Sequence, residues 1–134
     1  MIRVLDASVL VKWFVQEEGR DRAMTILQEV AARPRAFALP ALAWYEATHV
    51  LLRVSPEIEA TARRLERVLH LGIPCFSATA ERCTRAMRLA GELGLSGHDA
   101  HYVVLADELR GCWVTFDAKA AGRVAPRSLV ECLA

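Results

Sequence analysis

Short apolar runs alternate along this chain with longer segments in which apolar residues recur every three or four positions. The runs cover residues 2–6, 37–40, 73–76 and 112–116, and each is four or five residues long. Continuous apolar runs of this length are typical of strands buried on both faces of a parallel sheet. A shorter stretch at 128–130 is a candidate for a fifth strand.

Helical periodicity fills the segments between these runs. The expected helices cover residues 8–14, 21–32, 40–53, 55–71, 77–93 and 98–109. The helix at 98–109 is apolar on most sides, which predicts burial, whereas Arg63, Arg64 and Arg67 give the helix at 55–71 one solvated face. The alternation predicts an α/β fold of three layers, with a mostly parallel sheet of four to five strands.

The length of the chain, 134 residues, is that of one ordinary domain, and no repeat or low-complexity linker divides it. We therefore expect a single domain over residues 1–134. The longest apolar runs are about ten residues, below the ~20 needed to span a bilayer. The apolar N-terminus carries Arg3, Asp6 and Lys12 and has no small-residue cleavage site after it, so we interpret it as part of a mature, cytoplasmic protein.

The cysteines, the net charge and the arginine content limit the kinds of site that the chain can carry. The four cysteines form no CxxC pair, which disfavours a zinc ribbon or redox motif and predicts buried free thiols. A net charge of +1 excludes a broad basic surface, so any binding of nucleic acid must be local. Arginine outnumbers lysine fifteen to two, which either compositional bias of the genome or phosphate binding could explain.

Four acidic residues stand inside hydrophobic stretches that are far apart in the sequence: Asp6, Glu46, Asp99 and Asp117. Asp6 and Asp117 each end a predicted strand, and Asp99 falls in the first turn of a predicted helix, where the helix dipole favours a negative charge. Glu46 shares a helical row with Leu42 and Val50 and should therefore face the core. In a parallel sheet, ligands collect at the carboxyl ends of the strands, where these acids are expected to meet.

Each of these acids has a structural explanation when taken alone. Asp6 and Asp99 could be helix caps, and Asp117 could be a turn residue. Together they are harder to explain, because two carboxylates ~4 Å apart repel by about 4 kcal/mol at an effective dielectric of 20. A bound divalent cation such as Mg²⁺ or Mn²⁺ would relieve the repulsion and serve phosphate chemistry. His98 and His101 flank Asp99, but a single HxxH pair is a weak signal for zinc or for a general base.

Four segments carry a more specific resemblance: VLDASVLVKWF (4–14), LPALAWYEATHVL (39–51), GHDAHYVVLA (97–106) and WVTFDAKA (113–120). Their order and spacing resemble the signature segments of PIN-domain ribonucleases, most closely the VapC toxins of type II toxin–antitoxin pairs. The resemblance implies a PIN-like fold and an acidic quartet of Asp6, Glu46, Asp99 and Asp117 that binds Mg²⁺ or Mn²⁺, with Ser8 and Thr115 as supporting hydroxyls.

The same resemblance implies a metal-dependent endoribonuclease that acts as a homodimer on RNA, leaves 5′-phosphate and 3′-hydroxyl ends, and is neutralised by a VapB-like antitoxin. Two alternatives stay open within the family: a catalytically silent PIN domain that only binds, and a solitary RNA-processing nuclease. A receiver domain would need an acidic pair near the first strand. A haloacid dehalogenase would need an aspartate at the position that Ser8 occupies.

Overall fold

Five short strands form one parallel sheet in the computed structural model, which describes residues 1–134. The strands are β1 (Arg3–Leu5), β2 (Phe37–Pro40), β3 (Cys75–Phe76), β4 (Cys112–Thr115) and β5 (Val130–Cys132). Their spatial order is β3-β2-β1-β4-β5, which places β1 at the centre. Leu5 is in register with Val114, so β1 and β4 end side by side at one edge of the sheet.

Seven helices flank the sheet, as the alternating pattern predicts for a three-layer α/β/α fold. They are α1 (Ala7–Lys12), α2 (Arg20–Ala32), α3 (Ala41–Val54), α4 (Ile58–Leu69), α5 (Ala80–Leu93), α6 (Gly97–Glu108) and α7 (Ala118–Ala121). Two turns of 3₁₀ helix, Pro34–Ala36 and Arg127–Leu129, precede β2 and β5. None of the helices is both long and apolar enough to cross a lipid bilayer.

Helix α6 has six buried residues, more than any other helix, which confirms the expectation from its apolar sequence. Every residue from Tyr102 to Ala106 is buried, and α6 packs against β1, β2 and β4 on one side and against α5 on the other. Helix α4 is the opposite case, since Thr61 is its only buried residue. Its apolar residues Ile58 and Leu69 remain about half exposed.

Three sequence expectations need correction. Helix α5 is capped by Thr79, whose side chain accepts a hydrogen bond from the Arg82 backbone N–H, because residues 77–79 form an extended link after the short strand β3. The last strand lies at Val130–Cys132 and not at 128–130, since the preceding residues form a 3₁₀ turn. All four cysteines are free thiols, but Cys75 and Cys83 are exposed because they lie on an edge strand and an outer helix face.

The close approach of Gly111 to β1 generates a prediction. A Cβ at Gly111 would overlap the carbonyl oxygen of Ile2, which is held by the Cys112 backbone N–H at 3.0 Å. We expect Gly111→Ala to destabilise the protein by about 3 kcal/mol or more, because backbone cannot yield as a side chain can. Gly91→Ala in α5 meets no neighbour and should instead stabilise it by up to about 1 kcal/mol. Urea unfolding of both variants checks this, and similar midpoints would contradict it.

Candidate active site

Asp6 is a buried carboxylate at the end of the central strand. It caps α1, and its Oδ2 accepts a hydrogen bond from the Ser8 backbone N–H at 2.9 Å. Its Oδ1 accepts one from the indole Nε1–H of Trp113 at 3.2 Å. Only 9% of the residue is exposed, so these two N–H groups replace most of the water that would otherwise solvate the carboxylate.

The two N–H groups do not fully compensate for the lost water, because the pKa of Asp6 is still raised. Burial raises the pKa of the Asp6 carboxyl to about 6, although hydrogen bonds from Ser8 act in the opposite direction. The negative charges of Glu46 and Asp99 raise this pKa further. The Asp6 site is therefore short of positive charge at neutral pH.

Glu46 lies on α3 and reaches the same region without being fully buried. Its Oε1 accepts a hydrogen bond from the Tyr102 hydroxyl at 2.5 Å, and its Oε2 lies 3.2 Å from His98 Nδ1. A glutamate that faces the core needs a polar partner, and Glu46 has two, Tyr102 and His98. His98 is largely exposed, and its pairing with Glu46 favours a role beside the carboxylates over a structural zinc site.

Asp99 on α6 and Asp117 after β4 complete the acidic group. The pKa of Asp99 is raised, mainly by burial and further by the charges of Asp117 and Glu46. A hydrogen bond with the Ser96 side chain opposes this shift. Asp117 is exposed and caps α7, where its Oδ1 accepts the Ala120 backbone N–H at 2.9 Å. Asp6 and Asp117 thus act as helix caps while also facing the shared acidic region.

The two hydroxyl residues hold the backbone around these acids. Ser8 Oγ accepts a hydrogen bond from the Phe116 backbone N–H at 3.1 Å, which ties the start of α1 to the end of β4. Thr115 is fully buried, and its Oγ1 accepts the Asp117 backbone N–H at 3.0 Å. In this conformation both hydroxyls therefore position the segment that carries Asp117.

Trp113 and Tyr102 are site residues that the sequence analysis missed. Both are completely buried, and their rings stack with centroids 5.8 Å apart and planes inclined by 22°. One donates to Asp6 and the other to Glu46, so a single aromatic pair orients two of the acids. Burial and the nearby Asp6 charge raise the pKa of the Tyr102 phenol, which keeps it a hydrogen-bond donor. The signal in the sequence was an indole in a buried strand, since such an N–H needs an acceptor.

The donor set fits a hard divalent cation, because it consists of carboxylate oxygens around an acid that lacks a counter-charge. No three His, Cys, Asp or Glu side chains lie close enough together to ligate one ion directly. Mg²⁺ commonly keeps several of its waters and takes only one or two protein carboxylates. The arrangement therefore suits an ion held directly by one or two of the four acids and through water by the others.

Comparison with known proteins places this architecture in a family. The model of the PIN domain matches residues 3–125. The chain belongs to the PIN domain family. No curated protein sequence matches the chain significantly.

Solved structures share the PIN fold of this chain over nearly its whole length. A toxin–antitoxin complex from Klebsiella pneumoniae has a TM-score of 0.73 at 17% identity and covers 98% of both chains. VapBC2 from Rickettsia felis, bound to a DNA fragment from its promoter, has a TM-score of 0.74 at 20% identity, with 98% of both chains covered. VapC20 from Mycobacterium tuberculosis, a toxin that cleaves the sarcin–ricin loop, has a TM-score of 0.63 at 18% identity and covers 91% of this chain and 96% of its own.

The raised pKa of Asp6 predicts that this PIN domain carries a pH-dependent destabilisation when metal is absent. Because the native pKa of about 6 exceeds the unfolded value of 3.8, the native state binds the proton more tightly, and stability falls as pH rises through 6. Asp6→Asn should remove this effect and raise the free energy of unfolding by about 2 kcal/mol above pH 6, after allowance for one lost acceptor. Below about pH 4 no such gain is expected.

Urea unfolding in the presence of a chelator measures this difference. The matched control is Asp107→Asn, which changes an exposed carboxylate paired with Arg85 and should give no pH-dependent gain. If Asp6→Asn changed the free energy of unfolding equally above pH 6 and below about pH 4, burial of the Asp6 charge would not be the cause.

Proposed function

We propose that this chain is a divalent-metal-dependent endoribonuclease of the VapC toxin type, with residues 1–134 forming one nuclease domain. The observation that carries the proposal is the buried Asp6 carboxylate, which is short of positive charge and electrostatically coupled to Glu46 and Asp99. A purely structural role does not account for this coupling, because each acid raises the unfavourable energy of its neighbours. A cation site for phosphodiester chemistry accounts for all of them.

Asp6, Glu46, Asp99 and Asp117 would hold Mg²⁺ or Mn²⁺. When bound, the ion would supply activation of a water nucleophile and neutralisation of charge on the phosphate oxygens. Asp6 is kept in one orientation by the Trp113 N–H and the Ser8 N–H, and Glu46 by the Tyr102 hydroxyl. Preorganised carboxylates reduce the rearrangement needed when substrate arrives. Because the attacking oxygen would come from water, the 2′-hydroxyl of RNA would not be consumed.

The partner that fits this fold is a VapB-like antitoxin, by analogy with the toxin–antitoxin complexes of similar fold. A cavity of about 100 Å³ separates α3 from α4, and its apolar walls include Leu51, Leu52, Ile58 and Leu65. Leu52 is 65% exposed and Ile58 48% exposed, so part of this apolar wall faces solvent. This groove suits the apolar face of an amphipathic antitoxin helix. We further propose that the protein is a homodimer in the cytoplasm, as its resemblance to VapC toxins implies.

Substitution of the acids tests the catalytic proposal. We expect Asp6→Asn and Asp99→Asn each to abolish Mg²⁺-dependent cleavage of RNA, with a loss of at least about a hundredfold, while the circular dichroism spectrum stays native. Asp107→Asn lies on the same helix as Asp99 but outside the acidic group, so it should retain wild-type activity. A gel assay with purified protein and single-stranded RNA measures all three.

A chelator should remove the activity of the wild-type protein, and added Mg²⁺ or Mn²⁺ should restore it. Wild-type activity in both Asn variants, after exclusion of contaminating nuclease, would overturn the catalytic assignment. Binding of RNA without cleavage by the metal-loaded wild type would favour the silent binding module.

The antitoxin can be tested separately. A basic antitoxin side chain could replace the cation among the carboxylates through charge-assisted hydrogen bonds with Asp6 and Asp99. Replacing that residue by Ala in the antitoxin should weaken inhibition by at least about tenfold, even where the complex still forms. Inhibition and complex formation are measured by cleavage assay and gel filtration. Undiminished inhibition at saturating antitoxin would show that the antitoxin only blocks access of RNA.

A further inference from the structure

A second cavity, of about 410 Å³, lies beside the acidic group on the β2–β3 side of the sheet. It is formed by the first turns of α3 and α5, the end of β3 and one face of α6. The side chains that matter most for its chemistry are Leu42, Tyr45, Phe76, Arg82, His98 and His101. Of the residues that line it, only His98 has a role assigned above, as a partner of Glu46.

The cavity adjoins the acidic group through one residue that belongs to both. His98 lines the cavity, and its Nδ1 lies 3.2 Å from Glu46 Oε2. A molecule in the cavity would therefore be next to the carboxylates at the carboxyl edge of the sheet. In α/β folds, this edge is where substrates are bound.

The walls combine flat aromatic surfaces with few hydrogen-bonding groups. Tyr45 is 71% exposed, which leaves its ring available as a stacking surface. Phe76 is covered on one face by the Arg82 guanidinium, whose carbon lies 5.4 Å from the ring centroid. Arg82 is itself held by both Glu108 oxygens, at 2.8 and 3.0 Å, and by the Ser77 carbonyl. Its charge is therefore matched, so it acts as a fixed planar wall and not as a phosphate ligand.

These features point to a planar heterocycle as the occupant. We propose that the cavity binds one nucleobase of the RNA strand, next to the phosphate that is cleaved, with the base stacked on Tyr45 and its edge facing His98 and His101. The proposal rests on the proposed function, since it assigns a specificity subsite to that nuclease. Aromatic side chains commonly stack on unpaired RNA bases, and imidazole nitrogens can both donate and accept hydrogen bonds at a base edge.

The part of the acidic group formed by Asp99 and Asp117 has different surroundings. There a cavity of about 180 Å³ is lined by Asp99 and Asp117 together with two basic residues, Lys119 and Arg123. Cations without aromatic walls suit a backbone phosphate. A strand crossing the carboxylates would thus meet a base site on one side and a phosphate site on the other.

The test uses short single-stranded RNAs that differ in one nucleotide on either side of the cleaved bond. For the wild type we expect kcat/KM to depend on the base at one flanking position. Tyr45→Ala should reduce that preference by about tenfold, because a base that is no longer stacked is not held with its edge against His98 and His101, and Tyr45→Phe should keep it. Lys119→Ala should instead weaken the binding of all the RNAs alike and reduce the dependence of binding on salt concentration. Met87→Ala, which removes an exposed side chain of α5 outside the cavity, should change neither.

Binding of the same RNAs in a chelator, followed by fluorescence anisotropy, separates this proposal from the nuclease assignment. Tyr45-dependent base preference in binding, without cleavage by the metal-loaded wild type, would support the subsite and overturn the nuclease. Cleavage with the same base preference in Tyr45→Ala and the wild type would overturn the subsite alone. Loss of the dimer or of antitoxin binding in Tyr45→Ala, measured by light scattering, with unchanged base preference, would likewise overturn it and assign the cavity to a protein interface.

Discussion

The burial of the Asp6 carboxylate is the constraint on which the site depends. A carboxylate that loses most of its water needs hydrogen-bond donors or a cation, and the fold provides Asp6 with two N–H donors and no basic side chain. Glu46 and Asp99 then add negative charge from two further elements. The fold therefore leaves the buried Asp6 carboxylate beside two other acids without a positive side chain to balance its charge.

The order of the strands explains why the acids come together. Strand β1 lies at the centre of the sheet with β4 directly beside it, so Asp6 and the segment leading to Asp117 emerge at neighbouring points. The hydrogen bond from the Phe116 N–H to Ser8 Oγ closes the gap between these two segments. Helix α6 adds Asp99 from its first turn, where an acid also benefits from the helix dipole.

The stacked pair of Trp113 and Tyr102 connects the core to this edge. Each ring is completely buried, yet each uses its one polar group on a different carboxylate. Packing of the core thereby fixes the orientation of two acids, in the way that a supporting shell usually preorganises a site. The PIN domain provides this scaffold.

The sequence by itself determined the layered α/β architecture, because short apolar runs and amphipathic segments have different periods and alternate clearly. It also singled out four acids as candidates for a site, since carboxylates in apolar stretches are costly without a partner. Boundaries such as the Thr79 cap and the start of β5 depended on where neighbouring strands stop pairing. The roles of Trp113 and Tyr102 were decided only by tertiary structure. Their donors reach residues 107 and 56 positions away, and local periodicity carries no information about contacts at that separation.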